Sequence, residues 1–161
     1  MTDLNYFAVL DTYVKSVLVN NLTDPYETAG GASRGSTWIH SFDDPEPTYK
    51  YPLIQIEMLP SPSEILSIGP DWWDINFVLI NVWFRVKPEF KITVDGNVLK
   101  QKKLVAYYLS QIRKVLKDSY LTFADAGIKG FKVENVSPPD FDSTTNTYAG
   151  AVRIQLYWFE Q

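Results

Sequence analysis

Hydrophobic side chains recur along this chain with two periods, and the longer period predicts two helices. Over residues 3–20 the apolar positions return every three or four residues, as they do on one side of an amphipathic helix. The same spacing returns over residues 97–118, where lysines occupy the face opposite the apolar stripe. The Asp95-Gly96 pair before that stretch is interpreted as a turn and as the cap of the second helix.

The shorter period, in which apolar and polar positions alternate, predicts strands. In the last of them Val152 and Ile154 alternate with Arg153 and Gln155. Residues 60–71 are predicted to be a turn because prolines begin them. A hairpin loop is expected from Pro138 to Thr147. The predicted strands are residues 38–42, 51–59, 72–87, 130–136 and 148–160.

The resulting element order, α-β-β-β-α-β-β, predicts a single α+β domain over residues 1–161. We expect a two-layer sandwich in which two helices pack on one face of a mostly antiparallel sheet of about four or five strands. The other face should be apolar and should need covering by a loop or by a second subunit. Because successive side chains of a strand point to opposite faces of the sheet, the side chains predicted on that other face are Trp73, Phe77, Trp83, Tyr157 and Phe159.

Residues 22–50 differ in composition from the rest of the chain. Glycine, proline, serine and threonine interrupt this stretch, which therefore has few apolar groups to bury. We expect a long flexible loop or arm that is anchored by Trp38 and Ile39 and ordered by contact with a neighbour. Its glycine-rich part, residues 30–36, lacks the Lys-Ser/Thr end of a phosphate-binding P-loop.

Composition and charge narrow the classes of function. The 161 residues include no cysteine, so disulfides, thiolate metal sites and cysteine nucleophiles are excluded. A net charge of −4 argues against a protein that binds nucleic acid through bulk positive charge. The N-terminal residues lack a signal-peptide pattern, and no apolar stretch reaches the roughly 18 residues that span a membrane. We therefore expect a protein assembled in the cytoplasm without membrane contact.

Candidate catalytic residues are few. The single histidine, His40, could form a nucleophilic constellation with Ser41 or Ser36, but no Gly-x-Ser-x-Gly motif accompanies them. His40 is therefore expected to be a surface or strand-edge residue. We predict that the protein is not an enzyme.

Metal ligands and cofactors are not expected either. Asp43, Asp44 and Glu46 form one acidic cluster, and Asp71 with Asp74 forms another. Neither cluster has the spacing of a calcium-binding loop, so both are expected to be solvated turns or caps. No cofactor and no metal site is predicted.

The adjacent tryptophans Trp72 and Trp73 allow two interpretations. With carboxylates among Asp71, Asp74, Glu57 and Glu64, they could stack on sugar rings in a small carbohydrate-binding or hydrolytic domain. Alternatively, they anchor a protein interface, where tryptophan and tyrosine are enriched. The sequence favours the interface.

The lysine-rich face of the second predicted helix also allows two interpretations. Such faces are usually solvated. A more specific hypothesis is contact with an acidic neighbour, or with DNA passing through a pore without sequence-specific binding. The cations assigned to this face are Lys100, Lys102, Lys103, Arg113, Lys114 and Lys117.

The layout of the chain resembles the tail terminator and tail completion proteins of tailed bacterial and archaeal viruses. A Pro-rich link, Asp44-Pro45-Glu46-Pro47, precedes the strand that opens Tyr51-Pro52-Leu53-Ile54-Gln55-Ile56. A long aromatic strand, a helix and a closing hairpin that ends Arg153-Ile154-Gln155-Leu156-Tyr157-Trp158 follow. The likeness covers nearly the whole chain, whereas residues 22–50 and 60–71 are longer here.

This resemblance implies a virion structural protein that forms a hexameric ring on the end of the tail tube. The ring would stop tube polymerisation and present a joining surface to the head-side connector protein, so the expected partners are other copies, the tail tube protein and that connector. The alternatives are a neighbouring tail completion or head–tail joining protein. Candidate interface residues are Trp38, Trp72, Trp73, Trp83, Tyr157, Phe159, Lys103, Lys114 and Lys117.

Overall fold

A computed structural model describes residues 3–41, 50–60, 64–68, 71–125, 128 and 130–160, and of these residues 3–9, 60, 64–68, 71–77 and 158–160 are described by their backbone only. The described residues form four helices and eight strands. In chain order they are α1 (Asp3–Asn21), α2 (Pro25–Thr28), β1 (Ile39–His40), β2 (Leu53–Pro60), β3 (Glu64–Ile68), β4 (Asp71–Val86), β5 (Lys91–Val94), β6 (Asn97–Lys100), α3 (Gln101–Asp118), α4 (Tyr120–Asp125), β7 (Gly130–Asp142) and β8 (Thr147–Glu160).

Six of the described strands form one sheet, and its topology confirms the predicted α+β class. The strand order is β1-β2-β4-β8-β7, and β3 pairs with β4 beyond the end of β2. Only the short β1–β2 pair is parallel in this sheet; the other pairs are antiparallel. Strands β5 and β6 form a separate hairpin. The sheet is therefore mostly antiparallel, as expected.

The hydrophobic core of the described residues lies between this sheet and the long helices α1 and α3. Apolar positions of β4 from Val78 to Phe84 that share one face are fully buried, as the alternation predicted. The Phe84 ring stacks on Tyr108 of α3 with ring centroids 4.5 Å apart. Helix α3 approaches β8 closely at Gly150, where an added Cβ would lie 2.7 Å from Leu109 Cδ1. The missing side chain of Gly150 therefore allows the two layers to meet.

The predicted turn over residues 60–71 is wrong, since it contains β3. This strand pairs antiparallel with the first part of β4, from Glu64 opposite Ile75 to Ile68 opposite Asp71. Proline removes a backbone donor but does not prevent the chain from resuming a ladder afterwards. Strands β2 and β3 together therefore pair with β4 along nearly all of its length.

The second long helix begins later than predicted. Residues 97–100 form β6, which pairs with β5 across the two-residue turn Asp95-Gly96. Both turn residues have positive φ, 50° and 78°, which is the geometry of a type I′ hairpin turn. The Asp-Gly pair therefore closes a hairpin and does not cap α3, which starts at Gln101.

The closing hairpin is longer than predicted. Strand β7 continues through Pro138 and Pro139 to Asp142, and the turn occupies only residues 143–146. Register irregularities between Asn135 and Asp140 accommodate the two prolines, which a strand at the edge of a sheet tolerates.

Residues 22–41 of the predicted arm contain regular structure, while its flexibility stays a prediction. They contain α2, whose N-cap Asp24 accepts a hydrogen bond from the Tyr26 backbone N–H at 2.9 Å. Trp38 and Ile39 are buried in the core, so these residues do anchor the segment. Residues 42–49 of the predicted arm lie outside the described part of the chain.

Candidate functional site

The sheet face opposite the helices, here called the open face, is the candidate functional surface. Alternate residues of β2, β4, β8 and β7 share it, because antiparallel register pairs side chains on the same side. The described side chains of this face include Leu53, Gln55, Glu57, Leu59, Leu79, Asn81, Trp83, Arg85, Lys132, Glu134, Ala149, Ala151, Arg153, Gln155 and Tyr157.

Hydrogen bonds join three strands of the open face around Glu57. The Trp83 indole Nε1 donates to Glu57 Oε2 at 3.1 Å, and Asn81 Nδ2 donates to the same oxygen at 3.4 Å. On the next strand Arg153 Nε donates to Asn81 Oδ1 at 3.0 Å. The carboxylate thus fixes the orientation of the indole ring at the surface.

Arg85 connects this group to the turn between β7 and β8. Its Nε donates to Gln55 Oε1 at 2.9 Å, and its Nη1 lies 3.1 Å from Asp142 Oδ2. Its guanidinium carbon lies 5.2 Å from the centroid of the Trp83 ring, in cation–π contact. The Thr144 backbone N–H first, and then the Thr145 hydroxyl and Arg85, lower the pKa of Asp142.

The far side of the open face is also hydrogen-bonded. The Tyr157 hydroxyl donates to Gln155 Oε1 at 2.6 Å, and Gln155 Nε2 donates to Glu134 Oε1 at 3.0 Å. Lys132 Nζ lies 3.4 Å from Glu134 Oε2. Polar contacts therefore extend from β4 across β8 to the edge strand β7.

This network refines the expectation of an apolar second face for the side chains that are described; those of Trp73, Phe77 and Phe159 lie outside them. Leu53, Asn81 and Ala151 are 0 %, 5 % and 0 % exposed although they lie on the open face. Long amphipathic side chains such as Arg85 and Arg153 can cover such residues with their stems and keep their charged ends in water. The prediction counted the aromatic positions of β4 and β8 but not the polar positions between them. Where side chains are described, this face is therefore a mixed polar and aromatic surface, and the expectation that a second subunit covers it stays a prediction.

A shallow hollow of about 420 Å³ opens on this surface beside Trp83. It is lined by Gln55, Ile56, Glu57, Trp83 and Arg85. The hollow brings together an aromatic ring, a guanidinium and a carboxylate, and Trp and Arg are over-represented among residues that dominate binding energy.

The structure separates the predicted interface tryptophans. Trp38 is 2 % exposed and makes an edge contact with the Tyr108 ring, so it packs inside the chain and offers little surface to a neighbour. Trp83 lies on the open face as predicted. For Trp72, Trp73 and Phe159 only the backbone register is described, and they lie opposite Ser67, Leu66 and Ile75.

The carboxylates of the carbohydrate hypothesis do not all come together. Glu57 pairs with Asn81, eight residues along β4 from Trp73, which corresponds to about 26 Å of strand. The backbones of Asp71, Asp74 and Glu64 lie in the β3–β4 ribbon that also carries Trp72 and Trp73. Glu57 therefore belongs to the Trp83 group and not to the Trp72-Trp73 ribbon.

The remaining chemical candidates are dispersed. His40 is half-buried at the end of β1 opposite Gln55, Ser41 follows it, and Ser36 is exposed in the preceding turn. Asp43, Asp44 and Glu46 lie outside the described residues. Where the chain is described, no three His, Asp or Glu side chains are close enough to hold a metal ion.

The basic face of α3 is smaller than predicted. Lys100 precedes the helix, and the Arg113 side chain is partly buried. Lys103, Lys114 and Lys117 are exposed, and Lys114 Nζ lies 2.8 Å from Asp118 Oδ2. The hydrogen bond with Asp118, followed by its charge, raises the pKa of Lys114.

Comparison with known proteins found no protein-family model and no curated protein that matches the chain. Among the described helices, none is both long and apolar enough to cross a membrane.

Proposed function

We propose that this chain is a virion structural protein, a tail terminator whose copies form a ring on the end of the tail tube. The ring stops tube polymerisation and presents its other side to the head-side connector. It belongs to the head-proximal end of the tail and is assembled in the host cytoplasm. The alternative within the same class is a neighbouring tail completion or head–tail joining protein.

The open face carries this proposal, above all the surface around Trp83. The indole is held by Glu57 and flanked by Arg85, so its orientation is fixed before any partner arrives. Fixing a side chain in its bound orientation reduces the entropy lost on association. A rigid aromatic ring beside a guanidinium, in a shallow hollow, suits recognition of another protein.

The resemblance in element order gives this surface its proposed context. The helix, long central strand, second helix and closing hairpin of that layout correspond to α1, β4, α3 and the β7–β8 hairpin. A sheet with helices on one side only leaves the other side available to subunits or to the tube. The exposed lysines of α3 add a second surface, on the side of the molecule away from the open face.

A carbohydrate-binding or hydrolytic role is the second candidate, and the Trp83 hollow supports it less well. Sugar rings stack on a free indole face, whereas Arg85 already covers one face of this ring. A saturable change in tryptophan fluorescence with a soluble oligosaccharide, lost in Trp83→Phe, would favour this role over assembly.

The proposed function is tested by polymerising purified tail tube protein in the presence and absence of this chain. We expect short tubes that carry a cap at one end, seen by negative-stain electron microscopy. Tubes of unchanged length without caps, at saturating concentration of the folded protein, would contradict the proposal. Uncapped tubes together with binding to isolated head connectors would instead identify a head–tail joining protein.

A further inference from the structure

A groove of about 280 Å³ lies on the other side of the molecule, between α3 and the bulged part of β7. Its apolar walls are Ala106, Leu109, Val136, Pro138 and Pro139, and its polar groups are Ser110, Arg113, Asn135 and Ser137. The register irregularities of β7 between Asn135 and Asp140 move the strand out of regular pairing at this point. The groove therefore lies where Pro138 and Pro139 interrupt the regular pairing of β7 with β8.

Arg113 contributes a buried donor that has no acceptor. Its Nε is inaccessible to solvent and makes no hydrogen bond with the described residues. A buried charged donor without a partner is costly, and native proteins usually satisfy such a group with a ligand, an ion or a water molecule.

The surroundings of the groove favour a negative ligand. None of the described residues that line it is acidic. Lys103, Lys114 and Lys117 lie on the same side of α3 as Ser110, because their separations from it are seven and four residues. Two carboxylates close in sequence to lining residues or to these lysines are paired with cations, since Asp140 lies 3.7 Å from Lys102 and Asp118 lies 2.8 Å from Lys114.

We infer that this groove binds a carboxylate, presented by an acidic side chain of a partner protein next to aliphatic or proline residues. Arg113 lines the groove with a partly buried side chain, and its single positive charge beside a lining without acidic residues matches a ligand with a single negative charge. The hydroxyls of Ser110 and Ser137 and the amide of Asn135 supply neutral donors around it. The apolar walls suit the methylene groups and neighbours of a glutamate and disfavour a strongly hydrated phosphate dianion.

The test uses the full chain labelled with ¹⁵N and three probes: the blocked dipeptide acetyl-Val-Glu-amide, its isostere acetyl-Val-Gln-amide, and inorganic phosphate. We expect the glutamate probe to shift the Arg113 Nε–H resonance and the Ser110 and Ser137 amides saturably. Losing one charge-assisted hydrogen bond should weaken binding roughly tenfold or more, so the glutamine probe and the Arg113→Gln variant should bind at least that much more weakly.

Arg113→Lys keeps the charge but lacks the planar guanidinium, and it should bind the glutamate probe more weakly than the native chain. The matched control is Lys91→Gln, which removes an exposed cation of β5 and should leave binding unchanged. Equal binding of both peptides, tighter binding of phosphate in the groove, unaltered binding by Arg113→Gln or no shift with any probe would each overturn the inference. The measurement needs neither a ring nor a tail tube. A negative result would therefore contradict the inferred binding groove without bearing on the proposed function.

Discussion

The guanidinium of Arg34 holds the buried carboxylate of Asp24 in a two-point ion pair, with Nε 2.8 Å from Oδ2 and Nη2 2.6 Å from Oδ1. The same guanidinium donates to the backbone carbonyls of Lys50 and Pro52, at 2.8 Å and 2.7 Å. The ring of Tyr26 lies beneath it, 5.3 Å from the guanidinium carbon to the centroid. One arginine therefore joins the cap of α2 to the chain that enters β2, in a stretch where the composition indicated a flexible arm.

Replacing Arg34 by glutamine should be strongly destabilising, because it leaves the Asp24 carboxylate buried without its cation. Removal of one partner of a buried ion pair typically costs about 3–5 kcal/mol. We expect the free energy of unfolding, measured by urea titration, to decrease by an amount within that range. The control Lys117→Gln removes an exposed cation and should change it by less than about 0.5 kcal/mol. A loss as small as that for Arg34→Gln would contradict the structural role of the pair.

Hydrogen exchange should find residues 24–34 protected in the isolated protein. The backbone N–H of Thr28 donates to the Asp24 carbonyl at 3.1 Å, and that of Gly31 donates to the Tyr26 carbonyl at 2.9 Å. These amides should exchange more slowly than in an unstructured peptide, and Arg34→Gln should remove their protection while Val82 in β4 keeps its own. Exchange of both amides at peptide rates in the native chain would restore the flexible-arm hypothesis.

Tyr108 should make stability depend on pH at high pH. Burial first, and then the neighbouring Tyr107 and Asp24, raise the pKa of Tyr108 above its ordinary value of about 10. The unfolded chain then loses this proton at lower pH than the folded chain does. The stabilisation is therefore fully present below pH of about 10 and is lost as pH rises above it.

Tyr108→Phe is the variant that tests this dependence. At neutral pH the free energy of unfolding of this variant should be about 1 kcal/mol lower than that of the native chain, because the Tyr108 hydroxyl donates to the Thr23 carbonyl at 3.0 Å. Above pH of about 10 its free energy of unfolding should fall less steeply than that of the native chain, as measured by urea titration at several pH values. The control is Tyr120→Phe, on an exposed ring, which should change stability by less than about 0.5 kcal/mol at neutral pH. Identical slopes for Tyr108→Phe and the native chain would show that Tyr108 does not titrate as argued.

Changing Lys103, Lys114 and Lys117 together to glutamine should weaken assembly without unfolding the chain. All three side chains are exposed, so the cost to folding should be small, whereas converging subunits would add their fields at a ring surface. We expect weaker ring formation or weaker joining to partners, with a smaller dependence on salt, in sedimentation at several ionic strengths. The charge-matched control is a triple variant of three exposed lysines outside the open face, Lys50, Lys91 and Lys100, the last of which precedes α3. Normal assembly of the variant that lacks Lys103, Lys114 and Lys117 would favour the interpretation that this face is only solvated.

The sequence predicted the elements whose periodicity is long and uninterrupted. Helix α1 and strands β2, β4 and β8 were found within a few residues of their bounds, since burial of one face imposes a regular pattern over many positions. The hairpin β5–β6 was missed because each strand has only four residues, too few for a period to be visible. Its Asp95-Gly96 turn was a usable signal that was assigned to helix capping instead.

The candidate site was predicted less completely than the fold. Parity assigned Trp83 and Tyr157 to the open face, but it does not reveal that Glu57 accepts from Trp83 or that Gln155 accepts from Tyr157. Such pairs join residues on different strands or at alternate positions, and their contact depends on register and rotamer. The Asp24–Arg34 pair and the Arg113 groove were missed for the same reason, because each forms only when distant segments meet.

The most direct test of assembly through the open face is the solution mass of the purified protein by light scattering, with and without tail tube protein. We predict a closed ring with a mass of about six times the 18.5 kDa of one chain, formed alone or on tube ends. Trp83→Ala should reduce ring formation while circular dichroism shows a retained fold, and Tyr120→Ala, on an exposed ring outside the open face, should assemble normally. A strictly monomeric mass at high concentration, with no binding to tube ends, would contradict the account.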